Sequence, residues 1–239
     1  MKTSHQTSAL LVCILLFQMN AAAFEPSVVK LLGKNGAAST GNRFGSSMAM
    51  NERWIVVGEP NNSEGAMNAG AVHVYEAATG KHRIRLRGDL DSGANFGDVV
   101  ALDGDHLVVG APLEDTSLAM TSGACYVFHL PSGKRVRKIV PPGTLTGDRV
   151  GCSVGMHGNM VVFGAFLADA PGADSGAVYV FDVTTGTQLW KLTGDNTATN
   201  DWFGRDISVD GGLVLVGSRN STLSSACYLF DLSTGVQLH

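Results

Sequence analysis

The chain has 239 residues, enough for a sizeable hydrophobic core. A formal charge of −4 and a low content of charged residues leave no basic stripe of the kind that neutralises nucleic-acid phosphates. No apolar run reaches the roughly 20 residues that a membrane-spanning helix needs.

The first 23 residues carry a positive start at Lys2, an apolar run from Ala9 to Phe17, and the small residues Ala21, Ala22 and Ala23. This is the pattern of a secretory signal peptide cut before Phe24. The expected mature domain, 24–239, holds 16 basic and 21 acidic residues and three cysteines, Cys125, Cys152 and Cys227. Three thiols in a secreted chain cannot all pair within it. Cys125 and Cys227 stand where other parts of the chain place Val72 and Val178, which reads as small core residues. A bond between Cys125 and Cys152 stays open as an alternative.

After the leader comes a strand-like segment, Val28 to Gly33, similar in pattern to Leu189 to Gly194. A four-fold repeat follows. Aromatic-glycine pairs stand at Phe44-Gly45, Phe96-Gly97 and Phe203-Gly204, with Val150-Gly151 in the same phase. Each is followed at a constant distance by a second glycine: Gly58, Gly110, Gly164 and Gly217. Next come GAVHVY from Gly70, GACYVF from Gly123, GAVYVF from Gly176 and SACYLF from Ser225, and then the turn glycines Gly80, Gly133, Gly186 and Gly235. A period of about 53 residues marks one supersecondary unit used repeatedly. The approximate repeats are 44–95, 96–149, 150–202 and 203–239.

Each unit offers four short runs. The second is continuously apolar (Trp54 to Val57, Leu107 to Val109, Met160 to Phe163, Leu213 to Val216), as expected of a strand covered on both faces. The fourth alternates with charge, as in His82-Arg83-Ile84-Arg85-Leu86-Arg87 and Lys134 to Lys138, which suits an outer edge. Four antiparallel strands per unit describe a blade of an all-β propeller. The first-to-second and third-to-fourth connections have constant length, so one end of the blades is built of tight turns. The other two connections vary and share the opposite end, where binding is expected.

Phe96-Gly97 and Gly110-Ala111-Pro112 spell out the FG-GAP repeat, and the four units resemble the repeats of integrin-alpha-type propellers from Phe44 to His239. The resemblance implies a non-enzymatic, extracellular binding or adhesion module. Many repeats of that family carry an aspartate-rich calcium loop. Here the tight turns offer only Asp103 with Asp105, and Asp210, too few oxygens for a cage, so no cofactor is expected. The family's ring has seven blades and this chain encodes four. It therefore reads as a partial propeller, with a closed four-bladed ring as the alternative. An open arc would expose apolar blade ends and favour self-association.

The candidate site residues are loop groups. Glu64, Glu114, Asp115, Asp169 and Asp174 fall on the variable end as ligand-face groups for a cationic partner, with ordinary solvation as the other reading. Arg87-Gly88-Asp89 spells an integrin-recognised tripeptide, although Thr193-Gly194-Asp195 in a later unit makes its Gly-Asp part of the repeat. Asn61 and Asn220 open N-glycosylation acceptor patterns for a eukaryotic host. The histidines are expected not to assemble a catalytic or metal site. The preferred reading is a secreted module that binds a protein or glycan through its longer loops. One alternative is a structural fragment that acts by assembling with itself or another chain. A remote one is a quinoprotein-like dehydrogenase fragment, from the likeness of the Thr185 to Trp190 segment to that family's repeats.

Overall fold

The computed structural model describes residues 30–32, 41–89, 91–219 and 225–239. The chain divides into two units, Met1–Leu31 and Leu32–His239, and every described strand belongs to the second. The leader lies outside the described residues, as does most of the Val28 to Gly33 segment.

The strands fall into four antiparallel sheets laid out in chain order. Blade one comprises β1 (Met48–Met50), β2 (Trp54–Glu59), β3 (Ala71–Glu76) and β4 (His82–Leu86). Blade two comprises β5 (Val99–Asp103), β6 (His106–Ala111), β7 (Ala124–His129) and β8 (Lys134–Ile139). Blade three comprises β9 (Val154–His157), β10 (Met160–Ala165), β11 (Ala177–Asp182) and β12 (Gln188–Leu192). Blade four has three strands, β13 (Asp206–Asp210), β14 (Leu213–Ser218) and β15 (Ala226–Asp231). A single bridge from Phe230 to Gln237 stands for its fourth. In the complete blades the third-to-fourth ladder shifts register at one repeated place, between Val74 and Tyr75, Val127 and Phe128, and Val180 and Phe181.

The apolar second strands are buried because each sheet is covered by its neighbours. Trp54, Val56, Val72 and Val74 of blade one pack against Phe96, Leu107, Val109, Tyr126 and Phe128 of blade two. Equivalent cores join blades two and three, and three and four. Burying a side chain of this size contributes about 1.5–3 kcal/mol, so the stacking of blades carries most of the stability.

The recurring glycines are the steric condition for that stacking. A Cβ on Gly58, Gly110 or Gly164 would lie 2.1, 2.0 or 1.9 Å from the carbonyl oxygen of Gly97, Gly151 or Gly204 in the next blade. Gly70, Gly123 and Gly176 form parallel bridges with Phe96, Val150 and Phe203, and the amides of those three donate to Ala69, Ser122 and Ser175. The aromatic-glycine pair is therefore a hook that seats between two glycines of the preceding blade. The tight-turn glycines close the outer rim: Gly133 lies on Ile84, Gly186 on Arg137 and Gly235 on Trp190, each on the previous blade's outer strand.

At the two ends of the series the joint is missing. Among the described residues a Cβ on Gly45 would meet nothing within 4 Å, and one on Gly217 would meet only its own blade's Asp206 at 3.6 Å. The described blades thus form an open propeller, and the closed four-bladed ring is corrected. On blade four's outward face Leu213 and Leu215 are 37% and 44% exposed. Cys227 is exposed there too, whereas its counterparts Val72, Cys125 and Val178 are fully buried. The core role expected of Cys227 fails because no further blade covers it. All three cysteines are free, so the Cys125–Cys152 bond is not formed.

At the tight-turn end Asp103 and Asp105 bind neighbouring blades. Asp105 accepts from the Trp54 indole at 2.7 Å and pairs with Arg53 at 2.8 Å. Asp103 accepts from the Gly158 amide at 2.7 Å.

Candidate functional site: an arginine-lined mouth at the loop end

With this strand order the variable connections emerge together at one end. There the residues flanking each hook line the mouth of the space between the innermost strands. The residues just before the hooks, Arg43, Asn95, Arg149 and Trp202, all hold left-handed backbone, with φ of 59°, 55°, 63° and 52°. Side chains other than glycine pay for that conformation, and it often marks positions that must aim a side chain. Two residues after the hooks' aromatic positions come Ser46, Asp98, Cys152 and Arg205.

Arg43, Arg149 and Arg205 line a cavity of about 310 Å³ with Asn95, Asp98 and Cys152, walled by Pro112, Leu113 and Phe166. Asp98, Cys152 and Arg205 also line the space below, where Met48, Val99, Val154 and Ile207 bring in all four first strands. Arg43 pairs with Asp98 at 3.7 Å. The Arg205 guanidinium lies over the rings of Phe166 and Trp202, 4.8 and 5.5 Å from their centroids. The Nε of Arg149 is buried without a hydrogen-bond partner. Burial pushes the Cys152 thiol up to about 11, which keeps it protonated and a poor nucleophile. The chemistry on offer is recognition of an anion.

The residues singled out in the sequence lie elsewhere. Asp115 and Asp169 are exposed and accept from the amides of Thr121 and Asp174 within their own loops. Glu64 lies between Arg85 and Arg87, which hold its carboxyl down at about 2. Glu114 is a correction: it is fully buried, accepts from the Tyr126 hydroxyl at 2.6 Å and pairs with Lys138. Burial raises its pKa against the pull of those partners.

In the tripeptide, Arg87 pairs with Glu64 at 2.7 Å, in a contact whose geometry is ionic rather than that of a hydrogen bond. Asp89 is held by Arg135 and by Lys138, the latter at 2.8 Å. Gly88 passes over the rings of Phe96 and Tyr126, as Gly194 passes over Tyr228, so the shared Gly-Asp belongs to the joint between blades. The side-chain amide of Asn61 donates to the Gly41 carbonyl at 3.0 Å, and Asn220 lies outside the described residues.

Two histidines of blade one do meet. His73 fills the place that Tyr126, Tyr179 and Tyr228 hold in the other blades. It is buried against Glu59 at 3.0 Å and His82 at 3.2 Å. Among the described residues no group of three or more His, Cys, Asp or Glu could hold a metal. Trp190, on which the quinoprotein alternative rested, donates to the Leu232 carbonyl at 3.0 Å under the turn of blade four.

The arginine mouth was missed because it does not consist of what the repeats share. Arg43 and Arg149 occupy one phase of the period and Arg205 another, immediately beside the hooks, and that phase was the available signal.

Among solved structures, the chain is similar to one from the crystal structure of a mitotic checkpoint complex, with a TM-score of 0.52 and 14% identity. The match covers 78% of this chain and 47% of that one, so this chain spans about half its length, and at that identity the likeness concerns the fold alone. No curated protein matches the sequence. The FG-GAP repeat model matches residues 27–75, 86–128, 134–181 and 187–230, each match closing on a blade's third strand, and the chain belongs to the FG-GAP repeat family.

Proposed function

We propose that the protein is a secreted or cell-surface recognition module that receives a protein or glycan partner at the loop end of its blades, in an adhesion-like role. FG-GAP repeats are non-catalytic, and the family supports a ligand-binding propeller in general terms. The observation that carries the finer reading is the arginine-lined cavity where the variable connections meet. No described helix is long and apolar enough to cross a membrane.

The test is to mask one end at a time with an added glycan. Asp115→Asn creates an Asn-Thr-Ser acceptor in a loop-end connection, and Thr185→Asn creates an Asn-Gly-Thr acceptor in a tight turn. The labelled chain is applied to peptide and glycan arrays. Binding lost with the first mask and kept with the second supports the reading. Binding lost only with the second, or no binding to either array, refutes it.

A second reading, function through assembly, is favoured by Leu213, Leu215 and Cys227 on the uncovered face of blade four. That face departs from an internal seat at Ser225, where the other blades have glycine, and at Asp206, where blades one and three have Ser47 and Ser153. Those two serines donate to the hook carbonyls at 2.7 Å. A carboxylate at that place opposes a carbonyl, so any association would be weaker than the internal joints. Sedimentation velocity decides: a concentration-dependent larger species supports assembly, and a monomer throughout excludes it.

A further inference from the structure

We propose that the arginine mouth takes a single carboxylate, presented as an Asp or Glu side chain by a segment of a protein partner. This rests on the loop-end reading above and adds the chemistry of what is recognised.

Charge is the first ground. Three guanidiniums line the cavity, and the only carboxylate lining it, Asp98, is paired with Arg43. Arg149 and Arg205 bring two positive charges that no carboxylate of the cavity offsets. Against the apolar wall of Pro112, Leu113 and Phe166 those charges act in a poorer dielectric than water, so an incoming anion is held more strongly than on an open surface.

The second ground is the hydrogen-bond deficit at Arg149. A buried donor without an acceptor costs free energy, which a ligand oxygen recovers when the Arg149 side chain turns its covered Nε towards the cavity. Guanidinium forks and carboxylates match in a planar, two-bond geometry. Arg205 is already held between aromatic rings, so little of its freedom remains to be lost on binding.

Size and surroundings choose among anions. A cavity of about 310 Å³ admits a side-chain-sized group. Outside it the same end of the molecule carries Asp115, Asp169 and Asp174, and the whole chain is negative. A localised positive well within an acidic surround accepts one charge and repels a chain of them, which disfavours an extended sulfated glycan.

The experiment observes the Nε–Hε resonances of the full chain labelled with ¹⁵N-arginine. The probe is glutamate capped as acetyl and amide, with capped glutamine and sodium sulfate at matched ionic strength as comparisons. The expected result is a saturable shift of the Arg149 resonance with capped glutamate and none with capped glutamine. Arg205→Ala, at an exposed position outside the blade cores, should weaken the interaction by about tenfold or more without altering the circular dichroism. Arg205→Lys, which lacks the planar fork, should not restore it.

Equal or tighter saturation by sulfate overturns the carboxylate assignment, as does the absence of a saturable shift. If array binding proves specific to the loop end while capped glutamate fails, the loop-end reading stands and this one falls. If array binding is absent as well, both fall.

Discussion

Gly164→Ala puts the blade joint to a direct test. A methyl at Gly164 would sit 1.9 Å from the Gly204 carbonyl oxygen, 2.9 Å from its carbon and 2.4 Å from the Ser153 hydroxyl, where real contacts do not fall below 3.0 Å. The Gly204 carbonyl must retreat by more than 1 Å, and it belongs to backbone, not to a pliable side chain. That retreat breaks the 2.7 Å bond from Ser153, worth about 1 kcal/mol. It also loosens the core of Val162, Val178, Phe203 and Val216, and overpacking of this kind costs roughly 1–3 kcal/mol. The alanine's restriction of the unfolded chain returns about 0.4–1 kcal/mol. A net loss of about 1–3.6 kcal/mol lowers Tm by roughly 2–14 °C for a domain of this size. Gly217→Ala is the matched control, because its methyl meets only Asp206 at 3.6 Å. Only the unfolded-state term remains, so that variant should be unchanged or more stable by about 0.4–1 kcal/mol. Urea unfolding followed by tryptophan emission measures both, with Trp190 and Trp202 flanking the affected joint. Equal shifts in the two variants would refute the reading of these glycines as joint residues.

Further outcomes follow from the other contacts. Asp105→Ala removes the acceptor of the Trp54 indole and the partner of Arg53; a loss of about 1–2 kcal/mol is expected in urea, together with a change in Trp54 emission. Glu64 has a folded pKa of about 2, so the unfolded chain takes up its proton first as pH falls. Its contribution is therefore complete above the ordinary glutamate value and is lost towards pH 2. Buried Glu114, with its pKa raised, acts in the opposite sense and costs stability as pH rises. Urea midpoints at pH 5 and pH 3 should accordingly fall less in Glu64→Gln than in the parent. Thiol labelling should find Cys227 at once, Cys152 slowly and Cys125 only on unfolding, since Cys227 is exposed and burial raises the other two. Prompt reaction of Cys125 would show that the joint between blades two and three is open in solution.

The fold was legible because its signals are steric. A hook needs an aromatic or branched residue and a glycine, and its seat needs two more glycines, so each joint writes the same residues into the chain at the same spacing. Nothing comparable writes the site. Arg43, Arg149 and Arg205 meet only because successive blades turn their flanking residues to one mouth, and each is an ordinary loop residue within its own repeat. Glu114 read as solvated because its partners Tyr126 and Lys138 lie on strands far along the chain. His73 read as isolated because its partner His82 sits on a different strand of the same blade, brought within 3.2 Å by the sheet register.

Cys227 and Gly217 mark the limit of reading one repeat from another. The template gives each the same place on its strand as Cys125 and Gly164 have, and the ladders agree, pairing Gly217 with Cys227 as Gly110 pairs with Cys125. What it cannot transfer is the next blade, which supplies the cover for Cys125 and the carbonyl that forbids a side chain at Gly164. The same glycine is thus hemmed in by backbone in blade three and open in blade four, and the same cysteine is buried in blade two and exposed in blade four. A repeat sequence reports which surface a residue faces. Whether that surface is filled depends on the order of the blades, and in this chain the order places its open glycines at Gly45 and Gly217.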